Sequence, residues 1–268
     1  MKKQFIISTI IIVFIVSFTF QAMAESCTPN NVTCFDCGEN CLMKLTYETN
    51  AEGLQIGTLT VSGTGKMRGY YYHEGIDEYG DSYSRPWASL QNKVQNIVIE
   101  EGITNVGFNT FISFSNLKNV ELADSVTSLE AGAFQSCPKL DNINIGENIN
   151  FIGSQSLEGT ALTSLVIPQN ATLTSSAFYL RNSAGKIKTL YCTENKMQEC
   201  ETAIAFKGDE AEVIKYKKRS DGTYIIGGRF YGSFTAIQSG NHIKKRIYTV
   251  DEANAVTNSK NTFKIRYK

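Results

Sequence analysis

From Val94 onward the chain repeats one apolar signature: an apolar residue, another three positions on, and a third two positions after that. The copies are Val94, Ile97, Ile99; Leu117, Val120, Leu122; Leu140, Ile143, Ile145; Leu162, Leu165, Ile167; and Ile187, Leu190, Cys192. Their starts lie 23, 23, 22 and 25 residues apart. The register holds beyond the signature. Nine positions after the first four starts stand Ile103, Val126, Ile149 and Ala171. Twelve after come Val106, Leu129 and Ile152, with Leu173 one place early. Seventeen after come Phe111, Phe134 and Leu157, with Phe178 one place early again. One deleted residue in the fourth copy accounts for both shifts. Scattered apolar residues of an ordinary core do not keep such a register.

The pattern predicts an α/β repeat solenoid of about five short parallel strands, one per repeat of about 23 residues. Side chains alternate across a strand, so the fourth and sixth positions face a core. Each copy then turns, at small residues such as Gly107 or Gly153, and returns by a second apolar segment that ends on the aromatic. One copy cannot bury these groups alone. Stacked copies share a continuous core under a parallel sheet, with strands at 94–99, 117–122, 140–145, 162–167 and 187–192.

The flanks differ. Met43, Leu45 and Tyr47 alternate and Leu59 and Val61 follow, which predicts strands that cap the first rung. Residues 67–93 gather Tyr70, Tyr71, Tyr72, Tyr79, Tyr83 and Trp87, a loop whose rings either pack over the cap or stack on sugars. Residues 193–206 suit a short helix burying Met197, Ala203 and Phe206. From Tyr216 the composition turns to glycine, aromatics and an excess of Lys and Arg. It predicts a small β-rich module with a brief helix at 251–256 and a strand at 263–267. Before all this, Lys2 and Lys3 precede an apolar run from Phe5 to Phe20 that ends at Ala22-Met23-Ala24. The run is short for a membrane span and ends on small residues, so it predicts a cleaved signal peptide. The expected organisation is 1–24 signal peptide, 25–93 Cys-rich segment and N-terminal β cap, 94–192 repeats, 193–215 C-terminal cap, and 216–268 basic β-rich tail. The expected place is secreted, periplasmic or cell-surface, with no membrane span after cleavage.

The segment Ser125-Val126-Thr127-Ser128-Leu129-Glu130-Ala131-Gly132-Ala133-Phe134-Gln135-Ser136-Cys137-Pro138-Lys139-Leu140 resembles the BspA-like leucine-rich repeat family. So do Ile99 to Gly107, with their Gly-Ile-Thr-x-Val-Gly core, and the strand end Ile167-Pro168. Leu59 to Met67 and Pro86-Trp87 are similar to the segment that often precedes such repeats. The resemblance covers roughly Cys37 to Cys200. It implies a leucine-rich-repeat solenoid on a surface or secreted protein, often in host attachment or protein binding, and it brings no catalytic residues. The third copy departs from the pattern at Leu157 and Gly159, and the fourth lacks the Val-Thr-x-Ile-Gly register. The last rungs are therefore expected to be less regular.

The seven cysteines fall into groups. Cys27, Cys34, Cys37 and Cys41 are expected to form two disulfides, because an exported chain meets an oxidising compartment. Spacing favours Cys27–Cys34 with Cys37–Cys41, although four cysteines allow three pairings. Cys34-x2-Cys37 also has zinc-ligand spacing, but no second such pair follows. A Cys192–Cys200 bond would pin the cap helix to the last strand. Cys137 stands at a core position of the repeat and is expected to be a free, buried thiol.

The 26 Lys and Arg balance the 26 Asp and Glu, so no global field favours nucleic acid. The two histidines, His73 and His242, stand in no metal-ligand or nucleophile spacing. Gly63-x-Gly65-x3-Gly69 lacks the Gly-Lys-Ser/Thr of a phosphate loop, and Cys34-x2-Cys37 lacks the βαβ context of an oxidoreductase. No enzyme, metal or cofactor is expected. What remains is binding, of a protein or glycan ligand, or a structural role in a cell envelope. In each strand the third and fifth positions point away from the core. The third column reads Asn96, Asn119, Asn142, Ser164, Thr189, and the fifth reads Val98, Glu121, Asn144, Val166, Tyr191. The expected contact residues are Val98, Glu121, Asn144, Val166 and Tyr191 with Asn119 and Asn142. The alternative is that capping segments cover the fifth column.

Overall fold

The computed structural model describes residues 34–70, 85–174, 176–178, 186–204 and 210–243. The proposed signal peptide, Cys27, the rings of Tyr71, Tyr72, Tyr79 and Tyr83, Phe206 and the elements expected at 251–256 and 263–267 lie outside them.

The repeats form a solenoid whose signature positions all point inward. From Val94, Ile97 and Ile99 through to Ile187, Leu190 and Cys192, every signature residue is buried. The strands are β4 (Val94–Ile99), β6 (Asn119–Leu122), β8 (Asn142–Ile143), β10 (Ser164–Val166) and β12 (Thr189–Cys192). Each pair that bonds is parallel and in repeat register, as in Ile97↔Val120 and Val120↔Ile143. The sheet is not continuous, however. β4, β6 and β8 belong to a six-stranded sheet, while β10 and β12 belong to a separate three-stranded one. The break falls between the third and fourth copies, whose starts at Leu140 and Leu162 lie 22 residues apart in place of 23.

The returning segment is more ordered than its apolar pattern suggests. Four two-residue strands form a second parallel sheet: β5 (Asn105–Val106), β7 (Ser128–Leu129), β9 (Phe151–Ile152) and β11 (Thr172–Leu173). The aromatic segment that follows is a stack of turns joined by backbone bonds. N–H groups of Asn109, Phe111 and Ser113 donate to the carbonyls of Ala131, Ala133 and Gln135. Those of Gly132, Phe134 and Ser136 donate in turn to Ser154, Ser156 and Glu158. The tight curvature needs left-handed backbone at two fixed points per copy. One is Asn109, Gly132 and Gln155; the other is Ser113, Ser136 and Gly159. Glycine meets this demand without strain, and asparagine tolerates it better than most residues. Phe111 and Phe134 stack inside, 5.4 Å apart and 16° from parallel. Cys137 follows Phe114 in its column. It is free and buried, and its thiol donates to the Phe111 carbonyl at 3.2 Å.

The N-terminal segment completes the first rung. β1 (Cys34–Gly38), β2 (Asn40–Thr49) and β3 (Gln55–Thr64) form an antiparallel meander, and β3 runs parallel to β4 with Leu59↔Ile97 and Val61↔Ile99. A Cys37–Cys41 disulfide closes the first hairpin, and Cys34 is also disulfide-bonded. Asn105 then splices the cap to the second sheet. Its side chain accepts from Met67 N–H at 2.7 Å and donates to the Met67 carbonyl. Tyr70 and Trp87 are buried over this cap, their rings edge to face at 5.0 Å.

At the other end, helix α1 (Met197–Ile204) buries Cys200, Ala203 and Ile204. Its Glu199 carboxylate accepts the Leu173 N–H, a donor on the edge of the second sheet. The expected Cys192–Cys200 disulfide is not present. Both are free, buried thiols. A hydrogen bond between them lowers the pKa of Cys192 and raises that of Cys200, which burial raises further. The Cys192 thiol is directed at the Met197 sulfur, 3.5 Å away. β13 (Glu212–Lys215) adds a further parallel strand beside β12.

The chain divides into two compact units, the second starting at Tyr216. Its described part holds β14 (Lys217–Lys218), β15 (Tyr224–Ile226) and β16 (Arg229–Tyr231), an antiparallel sheet, and the short helix α2 (Phe234–Gln238), capped by the Ser233 hydroxyl. Tyr216, Tyr224 and Phe234 form its aromatic core.

Candidate functional site

The outward face of the six-stranded sheet carries a row of small polar side chains set by strand register. Thr46 lies opposite Thr58, Thr58 opposite Asn96, Asn96 opposite Asn119, and Asn119 opposite Asn142. The amides bond along the row in one sense. Asn142 Nδ2 donates to Asn119 Oδ1 at 3.2 Å, Asn119 Nδ2 to Asn96 Oδ1 at 2.9 Å, and Asn96 Nδ2 to Thr58 Oγ1 at 3.3 Å. Side chains one repeat apart in adjacent strands sit about 4.8 Å apart, so a relay of this kind needs an Asn at the same position in every copy. Beside the row, in the next outward register, stand Val98 and Glu121. Thr58, Asn96, Asn119, Asn142, Val98 and Glu121 line one shallow depression of about 310 Å³.

Of the expected contact residues, Val98, Glu121, Asn119 and Asn142 therefore meet in one place. Three do not. Asn144 turns its amide into the plane of the sheet and bonds the backbone of Leu122. Val166 is fully buried, so it offers no exposed contact. Tyr191 is half-buried opposite Val166 in the separate three-stranded sheet. Reading the fifth column as one continuous ladder fails because the sheet breaks after β8. Thr46 and Thr58 were not anticipated. They lie in the antiparallel cap, outside the repeat, and only the alternation of Leu45 and Leu59 with their polar neighbours hints at their facing.

Among the described residues, the other candidates contribute no second site. Trp87 and Tyr70 are interior. His242 packs against the Tyr231 ring, while His73 lies outside the described residues. Cys137 is pushed up to about 12 by burial and is no nucleophile at neutral pH. Among the described residues, no group of three His, Cys, Asp or Glu is placed to hold a metal ion. No helix among them is long and apolar enough to cross a membrane.

Parallel strands, one per repeat, with inward aliphatic columns define a leucine-rich-repeat solenoid. Residues 89–198 match, in six copies, the family model for the BspA type leucine rich repeat region, so this stretch of the chain is a repeat region of that type. Among curated proteins no match is found. Similar solved structures include a leucine-rich repeat protein from Eubacterium ventriosum, at 19% identity over 61% of this chain and 45% of that one, TM-score 0.41. Another is a leucine-rich repeat protein from Bacteroides ovatus, at 18% identity over 55% and 45%, TM-score 0.34. A third is the leucine-rich repeat protein of T. pallidum, at 15% identity over 55% and 68%, TM-score 0.35. The alignment spans less than half the length of the first two.

Proposed function

We propose that this chain is an exported or surface-exposed binding protein whose macromolecular partner docks on the outward face of the six-stranded sheet. The observation that carries this reading is the convergence of Asn96, Asn119 and Asn142 with Val98 and Glu121 on one open depression. The core does not call for this arrangement. Inward positions hold the fold, while outward ones need only be soluble. Yet here they are aligned, bonded to one another, and set beside the half-buried Val98 and the Glu121 carboxylate. A rigid surface of this kind loses little conformational freedom when a partner lands on it. BspA-type repeats fit an extracellular or envelope setting, and the N-terminal apolar run fits export.

The test is a double substitution, Val98→Asp with Glu121→Lys, in protein shown by circular dichroism to keep its fold. Wild-type protein is expected to adhere to intact cells or extracellular-matrix proteins, and the variant to lose that adhesion. Adhesion unchanged in a folded variant would remove the sheet face from consideration. A chain with only a structural role in an envelope would adhere to neither in either form.

A further inference from the structure

The row of amides has a chemistry that narrows the partner. This inference rests on the docking face proposed above. In the relay Asn142 to Asn119 to Asn96 to Thr58, each internal amide spends one N–H and one carbonyl lone pair on its neighbours. A primary amide carries two of each. Asn96 and Asn119 therefore keep one donor and one acceptor apiece, and Asn142 keeps one donor and its whole carbonyl. Asn142 is exposed and Asn96 and Asn119 are half-buried, so these groups face the depression. The relay also fixes each amide's orientation. An isolated surface Asn is free to rotate, but these cannot flip without breaking the chain of bonds.

We propose that the partner is a neutral, hydroxyl-rich glycan chain laid across the strands along the row Thr46–Thr58–Asn96–Asn119–Asn142. A sugar hydroxyl both donates and accepts, and a pair of neighbouring hydroxyls matches an amide's donor and acceptor together. The row offers that pair at each Asn strand, at the sheet's spacing of about 4.8 Å. Val98 supplies an apolar surface for the C–H face of a ring. The row itself is uncharged, and the Glu121 carboxylate beside it repels uronates, sulfates and phosphates. The depression is lined by amides and a hydroxyl, and it lacks the Lys and Arg that an anionic ligand would pair with. These features favour sugar over protein, and neutral sugar over anionic.

The experiment prints three classes of probe on one array. The first is neutral polysaccharides: mannan, β-glucan, xylan and galactan. The second is anionic polysaccharides: polygalacturonate and heparin. The third is deglycosylated fibronectin, laminin and collagen. The full chain is compared with Asn119→Asp plus Asn142→Asp, which keeps side-chain size and acceptors but removes the donors, and with Asn119→Ala plus Asn142→Ala. Both variants are first checked for native circular dichroism. The expected result is binding to at least one neutral polysaccharide, weakened at least about tenfold in both variants, the equivalent of one or two lost hydrogen bonds. Binding confined to the protein or anionic probes, and lost in the variants, would overturn the glycan assignment while leaving the docking face in place. Binding that ignores both variants, or no binding to any probe, would overturn both. If one double variant unfolds, the other carries the comparison.

Discussion

The side chain of Asn144 takes both backbone groups of Leu122. Its Oδ1 accepts the Leu122 N–H at 2.6 Å, and its Nδ2 donates to the Leu122 carbonyl at 3.1 Å. The amide stands where a third rung of the β6–β8 ladder belongs. The Asn144 N–H still donates to the Val120 carbonyl, but the strand goes no further, and β8 makes no strand pairing with β10. Asn144→Ala strips Leu122 of both partners in a half-buried setting, where an unmet backbone group costs about 1–3 kcal/mol. A matching fall in stability is expected in urea unfolding, with partner binding unchanged. An unaltered midpoint would mean that water replaces the amide at no cost.

Phe134 is fully buried and stacked on Phe111 of the copy before, and its backbone N–H holds the Ser156 carbonyl. Truncating a buried Phe to Ala costs about 3–5 kcal/mol. Phe134→Ala is expected to shift the denaturation midpoint by that amount. A shift below about 1 kcal/mol would show that neighbouring rungs collapse into the space.

Much of this was legible because repetition turns weak signals into strong ones. Ile97, Val120 and Ile143 mean little singly, but at one interval they fix strand, facing and partner together. Where repetition stops, legibility stops. β13 pairs with β12 in repeat register, yet its signature positions hold Glu210, Val213 and Lys215, so no apolar triplet announces it. The left-handed columns also escaped notice, because Asn109, Gly132 and Gln155 share a backbone shape and not a side-chain type. The site divided the same way. The Asn column was plain. Losing Val166 and Tyr191 from the fifth column depended on the break after β8, beside Asn144, whose counterparts in the other copies are Val98, Glu121, Val166 and Tyr191.

Glu158 is a carboxylic acid in the turn stack, only 6% exposed, accepting Gln135 Nε2 at 2.6 Å. Burial raises its pKa, and the Gln135 hydrogen bond offsets this in part. The folded chain therefore holds its proton to higher pH than the unfolded chain does. The contribution to stability is fullest below the unfolded glutamate range and falls as pH rises through it to the folded value. Glu158→Gln keeps an acceptor for Gln135 and removes the titration. It is expected to unfold at higher denaturant than wild type at about pH 8 and to lose that advantage near about pH 4. A constant difference between the two pH values would exclude the carboxylate as its source.

Cys137 provides a check on the core that needs no substitution. Its thiol is buried, bonded to the Phe111 carbonyl, and pushed up to about 12. Alkylating reagents attack the thiolate. In native protein at about pH 8, iodoacetamide is expected to leave Cys137 unmodified, with full labelling only after unfolding. Peptide mapping reads the result directly, and native labelling at this site would place the residue outside the core.

Trp87 closes the one side of the turn stack that has no earlier copy to serve it. In the second and third rungs, the carbonyls of Ala131, Ala133 and Gln135, then of Ser154, Ser156 and Glu158, receive N–H groups from the rung before. The first rung presents the equivalent carbonyls of Phe108, Thr110 and Ile112. Here the donors come from the capping loop. Tyr70 N–H serves Phe108, Trp87 Nε1 serves Thr110 at 2.9 Å, and Arg85 Nη1 and Gln91 Nε2 both serve Ile112. Trp87 thus fills volume and replaces a missing repeat at once, and two substitutions separate these roles. Trp87→Phe keeps most of the ring but leaves the buried Thr110 carbonyl without its donor, at about 1–3 kcal/mol. Trp87→Ala also opens a cavity, for about 3–5 kcal/mol. As the chain has one tryptophan, wild-type emission reports on this cap alone and is expected to resist acrylamide quenching until unfolding. Both variants are followed by circular dichroism. If Trp87→Phe unfolds with wild type, the indole N–H contributes nothing, and the cap holds by packing alone.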